Sequence, residues 1–491
     1  MTRNQLLING RWLDGQGEIL VSTCPTNELQ VWSGQGASAA QVDAAFVAAR
    51  HAFGKWWDHS ADQRIEIARK FAAIATEKAD ELARLISRET GKPLWETTTE
   101  AASVAAKVGL SIDSFRTRRD ISSFDMSGTQ AVTRFKPHGV CAVLGPFNFP
   151  AHLPNGHIVP ALIAGNTLVF KPSEITPAVG AWMAEQWQAA GLPDGVLNLV
   201  QGGRDVGIAI ANHHELDGLF FTGSSAAGRA LHIAFAQHPQ KILALEMGGN
   251  NPLIVHQAAD LSAAAYLTIL SAYFTSGQRC TCARRLILVE DDQCHPFLER
   301  LQAMMAQVSV GFFDDDPQPF MGTVISAAMG GRLLAAQADL IAKGGVALVE
   351  MQSQRNCAAL ISPGLIDVTN VFDRSDEELF GPLLNVIRVP SFAAAIQEAN
   401  RTAYGLSAGL LSDNANLYQQ FVHQIRAGIV NWNRQTTGAS GKLPFGGCGQ
   451  SGNHHPSAYF AADYCSFPVA SLEASELTMP SQLEPGIRPL A

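Results

Sequence analysis

In the run Gly277-Gln278-Arg279-Cys280-Thr281-Cys282 a cysteine follows an apolar helical stretch and a glycine, where the backbone can turn sharply and present a side chain. The Cys280 thiol is therefore a candidate nucleophile, provided its environment raises the thiolate fraction, which is small for an ordinary cysteine at neutral pH. The opposed reading is a small buried hydrophobe, the usual fate of a lone cysteine. Spacing argues against a zinc site at Cys280 and Cys282, because one intervening residue and no nearby histidine or second cysteine pair do not make a tetrahedral set. No metal is expected. Glu246 closes the apolar run 242–245 and enters Met247-Gly248-Gly249, which places a carboxylate at the C-terminal edge of a parallel strand, where ligands bind. There it can act as a general base; the alternative is a solvated or helix-capping acid.

Two further runs suit a dinucleotide. Thr222-Gly223-Ser224-Ser225-Ala226-Ala227-Gly228 follows the strand-like residues 218–221 and opens a helix, which turns free backbone N–H groups toward a phosphate. Its Gly-x4-Gly spacing lacks the Lys-Ser/Thr of a triphosphate loop and the tighter Gly-x-Gly-x2-Gly turn, so an ordinary strand-helix turn stays open as the alternative. Lys171-Pro172-Ser173-Glu174 ends another strand, and a Lys with a Glu three residues on can hold the two hydroxyls of an adenosine ribose.

These residues need a large scaffold. At 491 residues the chain exceeds one ordinary core, so two or more domains are expected. With 47% hydrophobic and 16% charged residues it is a globular chain. A net charge of -9 argues against a nucleic-acid or anionic-membrane footprint, since both need clustered Lys and Arg. The apolar run 158–170 is cut by Pro160, Gly165 and Asn166, so no membrane helix is expected. Residues 1–15 lack a signal peptide's apolar centre, and 8 cysteines over 491 residues are too sparse for a disulfide framework; both suit the cytoplasm. Cys24, Cys141 and Cys448 read as structural.

The first hundred residues read as helices, with Ile67, Phe71 and Ile74 on one face, Leu82, Leu85 and Ile86 on another, and Ser60 as an N-cap. Afterwards short β-rich runs at 140–144, 167–170, 196–200, 218–221 and 242–245 alternate with helices, the pattern of a parallel α/β sheet. A second alternating block starts near Pro252, with a helix capped by Asp260 and strands at 286–289 and near Leu365 and Ile429. Residues 117–135 and 464–472 alternate polar and apolar and can pair outside either core.

Taken in order, Phe147-Asn148-Phe149-Pro150, then residues 171–174, 223–228, 246–249, 277–280, 377–382 and 444–447, resemble the motif series of the aldehyde dehydrogenase superfamily almost end to end. The series in order is far more specific than any one motif. The resemblance implies an α/β fold of two parallel-sheet domains and a small β bridging element. Its division here is a cofactor domain at 1–116 and 138–248, a catalytic domain at 249–450, a bridging element at 117–137 and 460–474, and a flexible tail at 475–491. It implies a homodimer or a dimer of dimers.

By the same resemblance Cys280 attacks a small aldehyde, and the oxyanion is held by the Asn148 amide and the Cys280 backbone N–H. Hydride leaves to NAD, and Glu246 deprotonates the water that hydrolyses the thioester. Gly223, Ser224 and Gly228 take the pyrophosphate, Lys171 and Glu174 the adenosine ribose, and Glu378 with Phe380 the nicotinamide ribose. A carboxylate at Glu174 repels a 2′-phosphate, which favours NAD over NADP.

Residues 246–252, with Asn250 where relatives commonly carry Lys, and the runs 433–440 and 451–459 mark a subgroup whose aldehyde carries several carboxylates. Arg434 and Ser440 are the candidates to hold them, with a surface or interface ion pair as the alternative for Arg434. The roles of Arg279, Asn250 and Cys282 stay open. A relative that passes the acyl group to coenzyme A would not need Glu246, and a silent scaffold would be expected to have lost Cys280, Glu246 or Asn148. A simpler semialdehyde is the remaining alternative.

Overall fold

The computed structural model of the protein describes residues 3–480 and 482–488. Met1 and Thr2 of the N-terminal stretch, and residues 481 and 489–491 of the expected tail, lie outside the described residues.

Apolar runs too short for helices become strands buried on both faces, as in Val140–Leu144 and Thr167–Lys171. The first sheet has the order Ile242–Met247, Gly218–Gly223, Val140–Leu144, Thr167–Lys171, Leu197–Leu199, Leu6–Ile8, Arg11–Leu13. Its first five strands are parallel and its last two antiparallel. Strand order reverses between Val140–Leu144 and Gly218–Gly223, and at such a reversal a crevice opens beyond the carboxyl ends of the strands.

The second sheet runs Val346–Val349, Gly364–Asp367, Leu383–Val389, Ala283–Val289, Asn251–Val255, Ser407–Leu411, Ile429–Trp432, with only the Val346–Val349 edge pairing antiparallel. A small antiparallel sheet joins Ser466–Glu473, Thr129–Pro137 and Ser122–Met126. All eight cysteines are free. No helix among the described residues is long and apolar enough to cross a membrane.

Helix ends follow local chemistry. Ser60 caps Ala61–Glu77 in a capping box with Gln63, Asp260 caps Leu261–Tyr273, and Gly91 ends Ala79–Thr90 at φ 73. The first hundred residues are not helical throughout. Leu6–Ile8 pairs with Arg11–Leu13 and Ile19–Thr23 with Gln30–Gln35 before the helix Ala39–Asp58 begins. The first hairpin turns on Asn9 and Gly10, both at positive φ, the two-residue turn that Asn-Gly favours. Three-residue strands are too short for periodicity to detect, whereas this dipeptide was a usable signal.

Asn166 ties three elements together. Its Oδ1 accepts from the backbone N–H groups of His138 and Gly139 at 2.8 and 3.1 Å, and its Nδ2 donates to the carbonyls of Ala161 and Cys465 at 3.1 and 2.7 Å. It thereby joins the start of the central strand, the helix His152–Ala164 and the entry to Ser466–Glu473. Asn166→Ala strands these buried groups and should lower stability by about 3 kcal/mol. Urea unfolding of the two proteins checks this; a change within experimental error would show that Asn166 does not tie the elements together energetically.

Candidate active site

Cys280 is placed by a strained turn. The helix Leu261–Tyr273 runs into Phe274–Gly277, where Thr275, Ser276 and Gly277 all take positive φ of 55, 52 and 71°. Gly277 is required there, because a Cβ would lie 2.1 Å from the Gly381 carbonyl oxygen. A β-branched residue rarely adopts this backbone, so Thr275 needs strong anchoring. Its hydroxyl bonds buried Glu96, and Ser276 donates to the Gly322 carbonyl at 2.8 Å. Beyond the turn, Asn251 Nδ2 donates to the carbonyls of Cys280 and Cys282 at 2.7 and 2.9 Å. The Cys280 thiol is left half-buried.

Asn148 follows the central strand Val140–Leu144, and its Nδ2 donates to the Gln278 carbonyl at 3.0 Å, two residues before Cys280. Its own carbonyl accepts from Lys92 Nζ at 2.8 Å, and that ammonium pairs with Glu100 at 2.5 Å. The other Glu100 oxygen accepts from the N–H groups of Ala151 and His152, and Lys92 stands 4.3 Å from the Phe149 ring centre. A sealed ion pair thus clamps the whole Asn148 loop.

Glu246 lies at the end of Ile242–Met247 with 4% exposure. Its Oε1 accepts from the Ser457 N–H at 3.2 Å, while Oε2 is buried without a partner. Burial pushes this carboxyl up to about 8, against the hydrogen bonds of Ser457 and the charge of Lys107. Burial likewise pushes the Cys280 thiol far above its ordinary value; the carboxylates of Glu378 and Glu246 add to the rise, and Arg284 opposes it. At neutral pH the resting pair is a thiol beside a carboxylic acid.

Of the dinucleotide candidates, Lys171 and Gly223 end strands of the first sheet, and Glu246 lies near the end of its own. Lys171 Nζ donates to the carbonyls of Pro172 and Gly202 at 2.9 and 2.7 Å, 3.5 Å from Glu174 Oε2, whose side chain is half exposed. Ser224 caps Ser225–Phe235 by accepting from the Ala227 N–H, which leaves the other first-turn N–H groups open toward an anion. Gly223 and Gly228 permit tight packing, since a Cβ would lie 2.4 Å from the Phe221 ring and 2.2 Å from Met247 Sδ. Glu378 Oε1 is buried without a hydrogen bond, 3.5 Å from Arg284, and the Phe380 ring meets Phe147 edge-on at 5.8 Å. A donor and acceptor for ribose, an open helix N-terminus for pyrophosphate and an orphaned carboxylate oxygen fit a nicotinamide dinucleotide.

Arg434 and Ser440 are exposed in the loop after Ile429–Trp432. Among the described residues no hydrogen bond joins either to Cys280, Glu246 or Asn148; Ser440 Oγ accepts from the Lys442 N–H at 3.3 Å. Arg279 turns to Glu96 at 2.6 Å and over Phe149 and Phe274. Asn250 donates to Asp376 at 2.8 Å, and the buried Cys282 thiol to the Phe274 carbonyl at 3.6 Å.

Sequence reasoning missed Lys92, Glu100, Ser457 and Arg284. Only Arg284 carried a signal, an arginine inside the apolar strand Ala283–Val289, where it donates to the carbonyls of Gly277 and Gly381 at 2.6 and 3.1 Å. One group of possible metal ligands, Asp43, His213 and His214, occurs among the described residues. There the Glu215 N–H donates to His213 Nδ1, so Nε2 carries the proton toward Asp43 and has no lone pair for a metal.

The sequence pattern of the aldehyde dehydrogenase family matches residues 12–467. N-succinylglutamate 5-semialdehyde dehydrogenase of Ectopseudomonas mendocina (strain ymp) is 57% identical over 480 residues, 98% of this chain and 99% of that protein. It belongs to the subgroup indicated by residues 246–252 and 433–459. An NAD-dependent aldehyde dehydrogenase from Sinorhizobium meliloti is similar in structure at TM-score 0.91, 29% identical, over 98% of this chain and 96% of that one. An NADP-dependent glyceraldehyde-3-phosphate dehydrogenase from Bacillus halodurans C-125, complexed with NADP, reaches TM-score 0.90 at 26% identity over 96% and 100%. The chain belongs to the aldehyde dehydrogenase family, whose enzymes oxidise aldehydes with NAD(P).

Proposed function

We propose that the protein oxidises N-succinyl-L-glutamate 5-semialdehyde to N-succinyl-L-glutamate with NAD, a step of arginine catabolism, through a thiohemiacetal and then a thioester on Cys280. The observation that carries the chemistry is the convergence of the Cys280 thiol, the Asn148 amide and the unpartnered Glu246 oxygen in one crevice. The near full-length likeness to the Ectopseudomonas protein supports the substrate.

In this reading the Cys280 thiol gives up its proton to solvent as the sulfur bonds to the aldehyde carbon, and Glu246 is kept for the hydrolysis. The carbonyl oxygen becomes an oxyanion, and Asn148 Nδ2 exchanges the Gln278 carbonyl for it while the Cys280 N–H supplies a second donor. A nicotinamide held by these residues would supply the acceptor for the hydride that leaves this carbon. Glu246 then removes a proton from water as its oxygen attacks the thioester carbon; the C–S bond breaks and the thiol is restored. The clamp of Lys92 and Glu100 keeps the Asn148 loop in place throughout.

Lys171 and Glu174 would hold the adenosine ribose, and the half-exposed Glu174 carboxylate disfavours a 2′-phosphate, hence NAD. Gly223, Ser224 and Gly228 would receive the pyrophosphate, and Glu378 with Phe380 the nicotinamide ribose. Arg434 and Ser440 are proposed for the substrate carboxylates; their exposure supports this. The domain division given by the sequence is retained as part of this reading. Exposed Ile121, Phe124, Met126 and Leu472 at the small sheet support a homodimer through that element.

Rapid mixing with N-succinylglutamate semialdehyde, glutamate semialdehyde and succinate semialdehyde tests the reading. Preference for the succinylated substrate is expected; equal, poor turnover of all three would remove the substrate assignment. Cys280→Ala should form no NADH. Glu246→Gln should retain a single-turnover burst while losing about 100-fold or more in steady-state rate. Glu100→Gln leaves the Lys92 charge buried without its partner and should cost roughly 3–5 kcal/mol, read by urea unfolding. Glu174→Ala should raise kcat/KM with NADP about tenfold, and an unchanged NADP value would show that this carboxylate does not discriminate.

A further inference from the structure

Helix Leu94–Arg118 turns Glu100, Val104, Lys107 and Ser114 inward. Glu100 holds the Ala151 N–H, the Val104 carbonyl accepts from Asn155 Nδ2 at 2.9 Å, and Ser114 donates to the Tyr459 carbonyl. Between them Lys107 is 4% exposed, and among the described residues no hydrogen bond or ion pair engages its ammonium. Other cations at the site are engaged: buried Lys92 by Glu100, part-buried Arg279 by Glu96, buried Arg284 by two carbonyls. A buried lysine left without a counter-ion is expensive, and its position asks for a reason.

Two chains of contact run from it toward Glu246. On one side, Lys107 Cε lies 3.7 Å from where a Cβ on Gly156 would stand, and among the described residues nothing else from outside that stretch of helix comes within 4 Å of the point, so the absent side chain leaves room for the lysine. The next residue, His157, bonds Thr222 Oγ1 at 3.0 Å, and Thr222 is the cross-strand partner of Glu246. On the other side, the Ser457 N–H donates to Glu246, and Tyr459 two residues on is fastened to Ser114, two turns along the Lys107 face.

Among the charged groups around Glu246, Lys107 is the one that draws its carboxyl downward against burial. Burial lowers Lys107 itself to about 8. His152 and His157, from the helix packed opposite, are pulled to about 4 and about 3 by burial and stay neutral near pH 7. Tyr464 and Cys465, from the C-terminal segment, and the Cys280 thiol are all pushed up and are uncharged as well.

We propose that Lys107 is a positioning residue for the hydrolytic half of the reaction: its ammonium opposes burial at Glu246 and so eases formation of the carboxylate that accepts a proton from water. The proposal rests on Glu246 as the base. Without this cation the buried carboxyl would stay protonated to higher pH, and thioester would accumulate while hydride transfer went on.

The test uses full-length protein with Lys107→Met and Lys107→Arg. The infrared carboxyl band of Glu246, isolated by subtracting the spectrum of Glu246→Gln in each background, is titrated without substrate. Its midpoint should rise by about one pH unit or more in Lys107→Met and return to the parent value in Lys107→Arg. The acid limb of the steady-state rate should rise with it, with the NADH burst retained. An unmoved midpoint in Lys107→Met overturns the proposal. So does a KM increase confined to carboxylate-bearing aldehydes with the midpoint unmoved, which would assign the ammonium to substrate. If the parent protein turns over no aldehyde, the proposed function fails, while the infrared midpoint still judges Lys107.

Discussion

The parallel pairing of Val140–Leu144 with Gly218–Gly223 sets Leu144 opposite Phe221 and joins segments far apart in the chain. Beyond this pair the connections leave on opposite sides of the sheet, so their loops part and a crevice stays open. The loop carrying Asn148, the Ser224-capped helix and the Glu246 strand all end at that opening. A slip of one residue in the pairing would turn each inward side chain to the other face. Catalytic geometry is therefore a consequence of sheet register before it is a property of any loop.

Withdrawal from water then governs the chemistry. Burial raises the carboxyl of Glu246 and the thiol of Cys280, so neither is in its reactive form in the resting protein. Such groups are useful only if nearby charges are set against burial, and the surroundings supply them. Arg284 faces the thiol, held rigidly by backbone carbonyls, and Lys107 faces the carboxyl. The Lys92–Glu100 pair works differently, because its two charges satisfy each other and act through position, holding the Asn148 carbonyl.

The turn before Cys280 adds a second constraint. Three successive residues in the left-handed region are tolerable only when their side chains are fastened, and Thr275 and Ser276 are fastened to Glu96 and Gly322. Arg279, adjacent to the nucleophile in sequence, completes the same anchor through Glu96. A cation adjacent to the nucleophile, whose role the sequence left open, thus serves the backbone.

Much of this was legible in the chain itself. Alternating short apolar runs and helices determined the α/β class, and Ser60 and Asp260 marked helix starts because capping is a local hydrogen-bonding problem. The first N-terminal hairpin was lost because three-residue strands carry no period, although Asn9-Gly10 announced it. Cys280, Glu246 and the glycine-rich runs stood out because they interrupt apolar patterns at strand ends. Lys92, Glu100, Lys107 and Ser457 did not, since a charged or polar residue on a helix or loop looks like solvated surface until something packs over it. Which charges lost their water, and which partner each then faced, is a long-range matter of packing; only the tertiary structure decided it.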